Sequence, residues 1–479
     1  MKQFKLFIEN FVVYGMGNVI SKIIPLIMLP IVTRLMPDTY YFGLNDIYNV
    51  VVSFASAIAL CGLYDATFRL FFDKEDLEYK KRLCSTALLS CITFSIIIGL
   101  LFCAFKDTCL DLFFDGSKNE ILVYMAAISI IIGASNNLVA SPVRMQNKRG
   151  LYILLHTLSS AISYAISIPL LIKGYYVIAL PLSGILASLS IEIVFVMISR
   201  SWFSLRYFDK NLLKDLLKIG LPLMPGFLVY WVFSSADRLM ISRMLGNDID
   251  GIYAVGAKVA QISQMIYMAF AAGWQYFAFS TMEDNDQVKV TSNIFEYLMA
   301  VSFFAVGGIC CFDHIIFSVF FEGDYVHGEI VAPYLFMAPL LQMLFQIATT
   351  QFTIIKKTWP ILLILSFGAL CNIVCNWFGI QWIGMEGAAI STLVGYSISL
   401  IIAIGILVKI KLLNLSIRSA LAFLVFLAFL LVWRFSMFNF WILLGLGFVC
   451  ILIYYLLYRK DIITFVRSLR NWRGSSASN

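Results

Sequence analysis

The sequence is short of charge: Asp, Glu, Lys and Arg make up 13% of its 479 residues, about half the share of an ordinary soluble domain. That shortage excludes a solvated globular fold. Histidine is scarcer still, and His156, His314 and His327 stand far apart without metal-ligand spacing, which argues against a metal centre or histidine-based catalysis. The ten cysteines include no CxxC and no Cys/His cluster. Nearly all lie inside apolar runs, as at 310–311, and read as small core residues. No Walker A pattern occurs, so ATP is not expected to be hydrolysed by this chain. Long polar loops are missing too. The longest outer connections, KDTCLDLFFDGSKNE and DHIIFSVFFEGDYVHGE, are too short to fold as a catalytic domain. Neither an enzyme nor a cofactor is expected.

What is abundant is apolar length. Hydrophobic residues make up 61% of the chain, Phe alone numbers 41, and the mean hydropathy is +0.88. These residues fall in fourteen runs of about membrane-spanning length: 11–33, 42–63, 83–105, 121–141, 151–172, 176–198, 219–236, 251–273, 294–317, 331–354, 359–379, 387–408, 415–433 and 440–458. The reading is an all-α, polytopic membrane protein. MKQFKLFIEN supplies a basic start, but the run after it is too long for a signal core and has no small-residue cleavage site, so it is read as a retained first span.

Basic residues are distributed unevenly about these runs. With the N-terminus placed in the cytoplasm, 26 of the 35 Lys and Arg fall on inner segments and 7 on outer ones, Arg238 being counted among the outer. That asymmetry predicts an even number of spans with both termini cytoplasmic. The net charge of +7 then reflects topology and gives no reason to invoke nucleic acid.

A faint repeat organises the chain. TRLM at 33–36 followed by GL at 43–44 resembles SRML at 242–245 followed by GI at 251–252, and the two copies lie six spans apart. A parallel duplication about an axis along the membrane normal follows. It predicts an N-terminal lobe at 1–210, a C-terminal lobe at 211–410, each of six spans, and two further spans with a basic tail at 411–479.

Two charges break the apolar pattern. Lys22 interrupts FVVYGMGNVISKIIPLIMLPIVT near its middle, and Lys258 lies inside GIYAVGAKVAQISQMIYMAFAAGW. A lysine at the bilayer centre is unfavourable by roughly 2.5–3.5 kcal/mol on insertion scales, so each should face water, a partner or a substrate. Tyr14, Asn18 and Lys22 recur at helical spacing, and Gln261 follows Lys258 by one turn. Gln342, Gln346, Thr349 and Thr350 mark the tenth run, and Asn372 and Asn376 the eleventh. These stripes suggest a shared cavity lined by cations and amides. They read equally well as interhelical hydrogen bonds; Lys258 has the alternative of a structural pairing with Asp237 or Glu192, and Arg69 and Arg144 that of ordinary inner-face charges in place of members of the cavity mouth. Such a cavity suits an anionic, hydroxyl-rich ligand: one ammonium beside a phosphate contributes up to about 4 kcal/mol at an effective dielectric of 20, before desolvation is subtracted.

The stretch GNVISKIIPLIMLPIVTRLMPDTYYFGLNDIY resembles the opening of bacterial polysaccharide transporters of the Wzx type. LLKIGLPLMPGFLVYWVFSSADRLMISRMLGNDIDGIYAVGAKVAQI is similar to their GLPL entry, S-x-D-R segment and G-x-Y-x-x-x-x-K span. The resemblance covers nearly the whole chain. It implies the multidrug/oligosaccharidyl-lipid/polysaccharide exporter superfamily, and a flippase that moves a polyprenyl-pyrophosphate-linked oligosaccharide from the cytoplasmic to the periplasmic leaflet of the inner membrane. On that resemblance the diphosphate sits among Lys22, Lys258 and the mouth arginines Arg69 and Arg144, while Asn18, Gln261 and Gln346 of the polar stripes are the further substrate-binding candidates. The tail stays in membrane lipid, and the implied partners are a polysaccharide polymerase and glycosyltransferases. Coupling to a proton or sodium could use Asp46, Asp65, Glu192 or Asp237, or none of them. A murein-precursor flippase shares the fold, and a drug or cation antiporter is the further alternative, although the first span offers a lysine where such an antiporter is expected to present an acid.

Overall fold

The computed structural model describes residues 22–114, 116, 119–436 and 440–476. Among the described residues every regular element is helical. The helices are α1 (22–35), α2 (Thr39–Leu60), α3 (Leu63–Phe71), α4 (Leu77–Ala104), α5 (Lys106–Phe113), α6 (Ile121–Met145), α7 (Arg149–Ile172), α8 (Tyr176–Ile198) and α9 (Lys210–Leu245). They continue with α10 (Asn247–Ser280), α11 (Gln287–Phe320), α12 (Ala332–Ile354), α13 (Trp359–Ile383), α14 (Met385–Lys409), α15 (Ile417–Ser436) and α16 (Phe440–Ser476). Twelve of the described helices are long and apolar enough to cross a membrane. Two of the fourteen sequence runs fall outside that set. The first, at 11–33, lies largely outside the described residues, with Tyr14 and Asn18, and the eighth is α10, where Lys258, Gln261 and Gln264 interrupt the apolar residues.

Boundaries shift where polar chemistry intervenes. The second run was read as 42–63, yet its helix starts at Thr39, where the Asp38 carboxylate accepts the Tyr40 N–H at 3.0 Å as an N-cap. It stops at Cys61 and Gly62, both with positive φ. Gly62 suits that conformation because it has no β-carbon, and its bareness also lets it abut Gly220 of α9. The seventh run, read as 219–236, is part of a much longer helix. α9 begins two turns earlier, capped by Asp209, and continues past Arg238 and Arg243 to Leu245. Counting Arg238 with the outer loop residues is therefore corrected: apolar residues flank it on both sides in the helix, and its side chain is largely buried.

Separate hydrophobic cores form on either side. One joins α2, α3, α4, α6 and α8 around Leu63, Leu83, Leu138 and Phe195, and it takes in Leu216 from the start of α9. Another joins α9 to α16 around Phe295, Phe336 and Trp433. α10 serves two cores, giving Tyr253, Ala257 and Ala260 to the latter and Ala254, Val255 and Val259 to a cluster with Leu29, Val32 and Phe42. The segment joining α8 to α9 is fastened to α4. Ser85 donates to the Trp202 carbonyl at 2.9 Å and accepts the Ser204 N–H at 3.2 Å, and Thr86 accepts the Asp209 N–H at 3.0 Å.

Near the ends assigned to the outer side, α2 and α10 meet without side chains between them. A β-carbon on Gly43 would overlap the carbonyl oxygen of Asn247, and one on Gly251 would overlap that of Thr39. The contact is reciprocal, since positions 39 and 43 correspond to 247 and 251 in the sequence repeat.

Candidate functional site

A cavity of about 580 Å³ opens between α9, α10, α12 and α14, with α1 closing one side. α9 contributes Tyr230, Trp231, Ser234 and Asp237 to its wall, α10 contributes Gln261 and Gln264, and α12 contributes Gln342. Lys22 reaches it from α1. Lys22 also lines an adjoining crevice together with Lys258 and Gln261, so the two lysines found in apolar runs converge from helices that are distant in sequence. Lys258 is eleven residues from the start of α10, which sets it about 16 Å down the helix axis. Among the described residues neither lysine forms an ion pair with an acid. The structural pairing of Lys258 considered from sequence is absent, because Asp237 and Glu192 bond elsewhere.

The acids are engaged by other groups. Asp46 of α2 receives the Arg238 guanidinium, whose Nη1 lies 3.0 and 2.9 Å from its two oxygens. Asp237 accepts the hydroxyl of Tyr253 and, at 2.9 Å, the backbone N–H of Arg238. Glu192 accepts the Ser135 hydroxyl at 2.6 Å. With Asp46 and Asp237 bonded in this way, the cavity wall offers cationic groups, amides, hydroxyls and aromatic faces. Phe233 stacks on Tyr396 at 4.1 Å, and Trp231 donates to Ser53 at 3.3 Å.

Other candidates lie elsewhere. Arg69 is exposed and pairs with Asp73 one turn on, and it is absent from the cavity lining. Arg144 sits at the C-terminal end of α6 among the rings of Tyr64, Phe68 and Tyr152, 5.7, 5.4 and 5.1 Å from their centroids, with the Tyr64 hydroxyl as a hydrogen-bond partner. Gln346 is one turn beyond the lining residue Gln342 and does not itself line the cavity. Asn372 donates to Thr392 across α13 and α14 at 3.2 Å, and Asn376 to Asn372 at 3.4 Å, the interhelical reading of that stripe. Asn18 lies outside the described residues.

Sequence reasoning missed Arg238 as a buried group, and with it Tyr253 and Asp250, which gather around the same point. Apolar residues on both sides of the Asp237–Arg238 pair were the available signal. Its partner Asp46, 192 residues away, carries none. A separate apolar groove of about 430 Å³ runs between α11, α15 and α16, with Phe303, Phe312, Phe429 and Phe448 in its wall.

The profile of a family described as "Polysaccharide biosynthesis protein" matches residues 7–280. A search of curated proteins gives no match. Among solved structures, the chain is similar to the lipid II flippase MurJ in its inward closed conformation, with a TM-score of 0.71 and 17% identity over 94% of this chain and 100% of that one. It is also similar to a multidrug resistance MATE family transporter of the MOP superfamily in its inward-facing conformation, with a TM-score of 0.62 and 15% identity over 82% of this chain and 98% of that one. An outward-facing MATE structure matches with a TM-score of 0.55 and 16% identity over 85% and 95% of the two chains. At these identities the likeness is one of fold: the chain has the MurJ/MATE architecture.

Proposed function

This chain belongs to the polysaccharide biosynthesis protein family, and from that premise we propose that it is a flippase for a polyprenyl-pyrophosphate-linked oligosaccharide. It carries the lipid-linked glycan from the cytoplasmic to the periplasmic leaflet of a bacterial inner membrane by alternating access, with both termini cytoplasmic. Glycosyltransferases supply the substrate and a polymerase consumes it. The observation that carries this reading is the convergence of Lys22 and Lys258 on one crevice beside a cavity of amides and aromatic faces. Two ammonium groups held at mid-membrane depth without acidic partners provide what a diphosphate needs while it crosses hydrocarbon. The amides and hydroxyls suit sugar hydroxyls, and the aromatic faces suit the apolar faces of sugar rings. Lys22, Lys258 and Gln261 are the binding residues proposed with most support. Asn18, Arg69, Arg144 and Gln346 are secondary, because no described contact brings them to the cavity.

A murein-precursor flippase is the second reading, favoured by the fold likeness to the lipid II flippase MurJ. The test is accumulation of intact lipid-linked glycan in the inner membrane of null cells complemented with the parent, Lys22→Ala or Lys258→Ala, alongside protein level. Accumulation of a surface-polysaccharide intermediate supports the first reading, and accumulation of a murein precursor supports the second. Normal export by both variants at normal protein level removes the anionic-cavity mechanism.

A further inference from the structure

Asp46, Asp237 and Asp250 converge on Arg238 from α2, α9 and α10, and the structure uses them differently. Asp46 takes the guanidinium Nη1 with both oxygens. Asp237 is held by Tyr253 and by backbone. Asp250 is fully buried and, among the described residues, neither of its oxygens has a hydrogen-bond partner. The buried Nε of Arg238 and Nδ2 of Asn247 lack one as well. Buried polar groups are normally satisfied, so a vacant acceptor and a vacant donor in one cluster call for an explanation.

The connectivity supplies one. Arg238 and Asp250 sit on α9 and α10, which are joined through the single residue Gly246. Asp46 is on α2, which meets α10 backbone to backbone at the reciprocal glycine contact and packs Phe42 against Ala254 and Val255 beside it. Asp46 and Arg238 each lie seven residues from the outer end of their helix, about 10 Å along the axis, directly below that contact. If α2 and α10 part at Gly43 and Gly251, the Asp46–Arg238 pair cannot persist. Arg238 would then be left without its carboxylate in a largely buried position, which is strongly unfavourable.

We propose that Asp250 is the second seat of Arg238: the guanidinium rests on Asp46 while the outer ends of α2 and α10 are closed and turns to Asp250 when they separate. The exchange is of the guanidinium's carboxyl partner, and no covalent bond between heavy atoms forms or breaks. It deepens the alternating-access reading given above and rests on it. Asp250 is thus a positioning residue for the open state, and its lack of partners here is the counterpart of the closed one.

The test is hydrogen–deuterium exchange by mass spectrometry on the full-length protein in lipid nanodiscs, read at peptides covering 39–50 and 245–256. Asp46→Asn removes the closed-state seat and should speed exchange. Asp250→Asn removes the open-state seat and should slow it relative to the parent, by roughly fivefold or more, the scale of a typical coupling between two states. Arg238→Gln should speed exchange as Asp46→Asn does, and adding Asp250→Asn to it should change nothing further. Asp250→Ser serves the same arm if Asp250→Asn is not recovered from membranes. Faster or unchanged exchange in the Asp250 variant, or equal slowing with Arg238→Gln present, overturns the proposal. No substrate enters the measurement. Loss of the flippase reading would show instead as glycan export indifferent to Lys22 and Lys258, so the two failures are separable.

Discussion

Gly43 of α2 and Gly251 of α10 face each other with no room for a β-carbon on either, each against a backbone carbonyl of the opposite helix. Glycine here permits two backbones to touch, and a methyl group must push them apart. Gly43→Ala and Gly251→Ala are expected to destabilise the protein by about 1–3 kcal/mol, the usual range for overpacking, and to lower the thermal midpoint of the purified protein. Gly405→Ala, with open space around its β-carbon, should leave the midpoint unchanged or raise it slightly, since alanine is favoured over glycine in a helix by about 1 kcal/mol. Equal midpoints for all three variants would mean that the contact contributes nothing.

For the cavity lysines, direction and rank are both expected. Removing one ammonium from a diphosphate site should cut export at least about tenfold, the equivalent of 1.4 kcal/mol out of an upper bound of about 4 kcal/mol per charge. Arginine at either position should retain more export than alanine, because charge is kept while shape differs. Glutamate should be worst, since it sets a negative charge against the phosphates. Export rates from complemented null cells, normalised to protein level, give the order, and glutamate ranking above alanine would contradict an anionic ligand.

The two mouth arginines should separate. Arg69→Ala removes an exposed pair with Asp73, a change worth less than about 1 kcal/mol, and export should be unaltered. Arg144→Ala strips a guanidinium from three aromatic faces and the Tyr64 hydroxyl and should destabilise the protein by about 1–3 kcal/mol. Thermal shift assays check both, and a larger shift for Arg69 than for Arg144 would reverse the assignment.

Reporter fusions after residues 80, 210 and 465 should all report cytoplasm, and the 320–328 segment should label from outside. A periplasmic signal from any of the three fusions would overturn the topology drawn from the charge asymmetry.

The spans were readable because membrane insertion writes its requirement into composition: long apolar runs mark α7, α8 and α14 within a few residues. Lys22 and Lys258 were readable for the converse reason, as charges in places where charge is unfavourable. α9 was harder. Its prolines and its Asp237–Arg238 pair imitate the end of a span, and the helix extends past them because buried partners offset the charge. The ion pair with Asp46 could not be read, since it depends on how α2 and α9 are brought together and no local pattern encodes that. Asn372 and Asn376 show the limit of a polar stripe: spacing says which face they share, and only packing reveals that the face meets α14.

The joint between α8 and α9 has a mechanical consequence. Ser85 and Thr86 fasten residues 202–209 to α4, and Leu216 is buried in the same core, so no slack loop separates α9 from that core. Movement of the far end of α9 against it must pass through α9 as the bending of a beam, and the helix is weakest at Pro222 and Pro225, where backbone hydrogen bonds are lost. From Gly226 to Leu245 the helix is a lever of about 30 Å at about 1.5 Å per residue. A bend of about 10° at the prolines swings its far end by about 5 Å on that length, enough to part backbones that touch at Gly43 and Gly251. Leverage along one helix thus sets how little deformation is needed to open the far side.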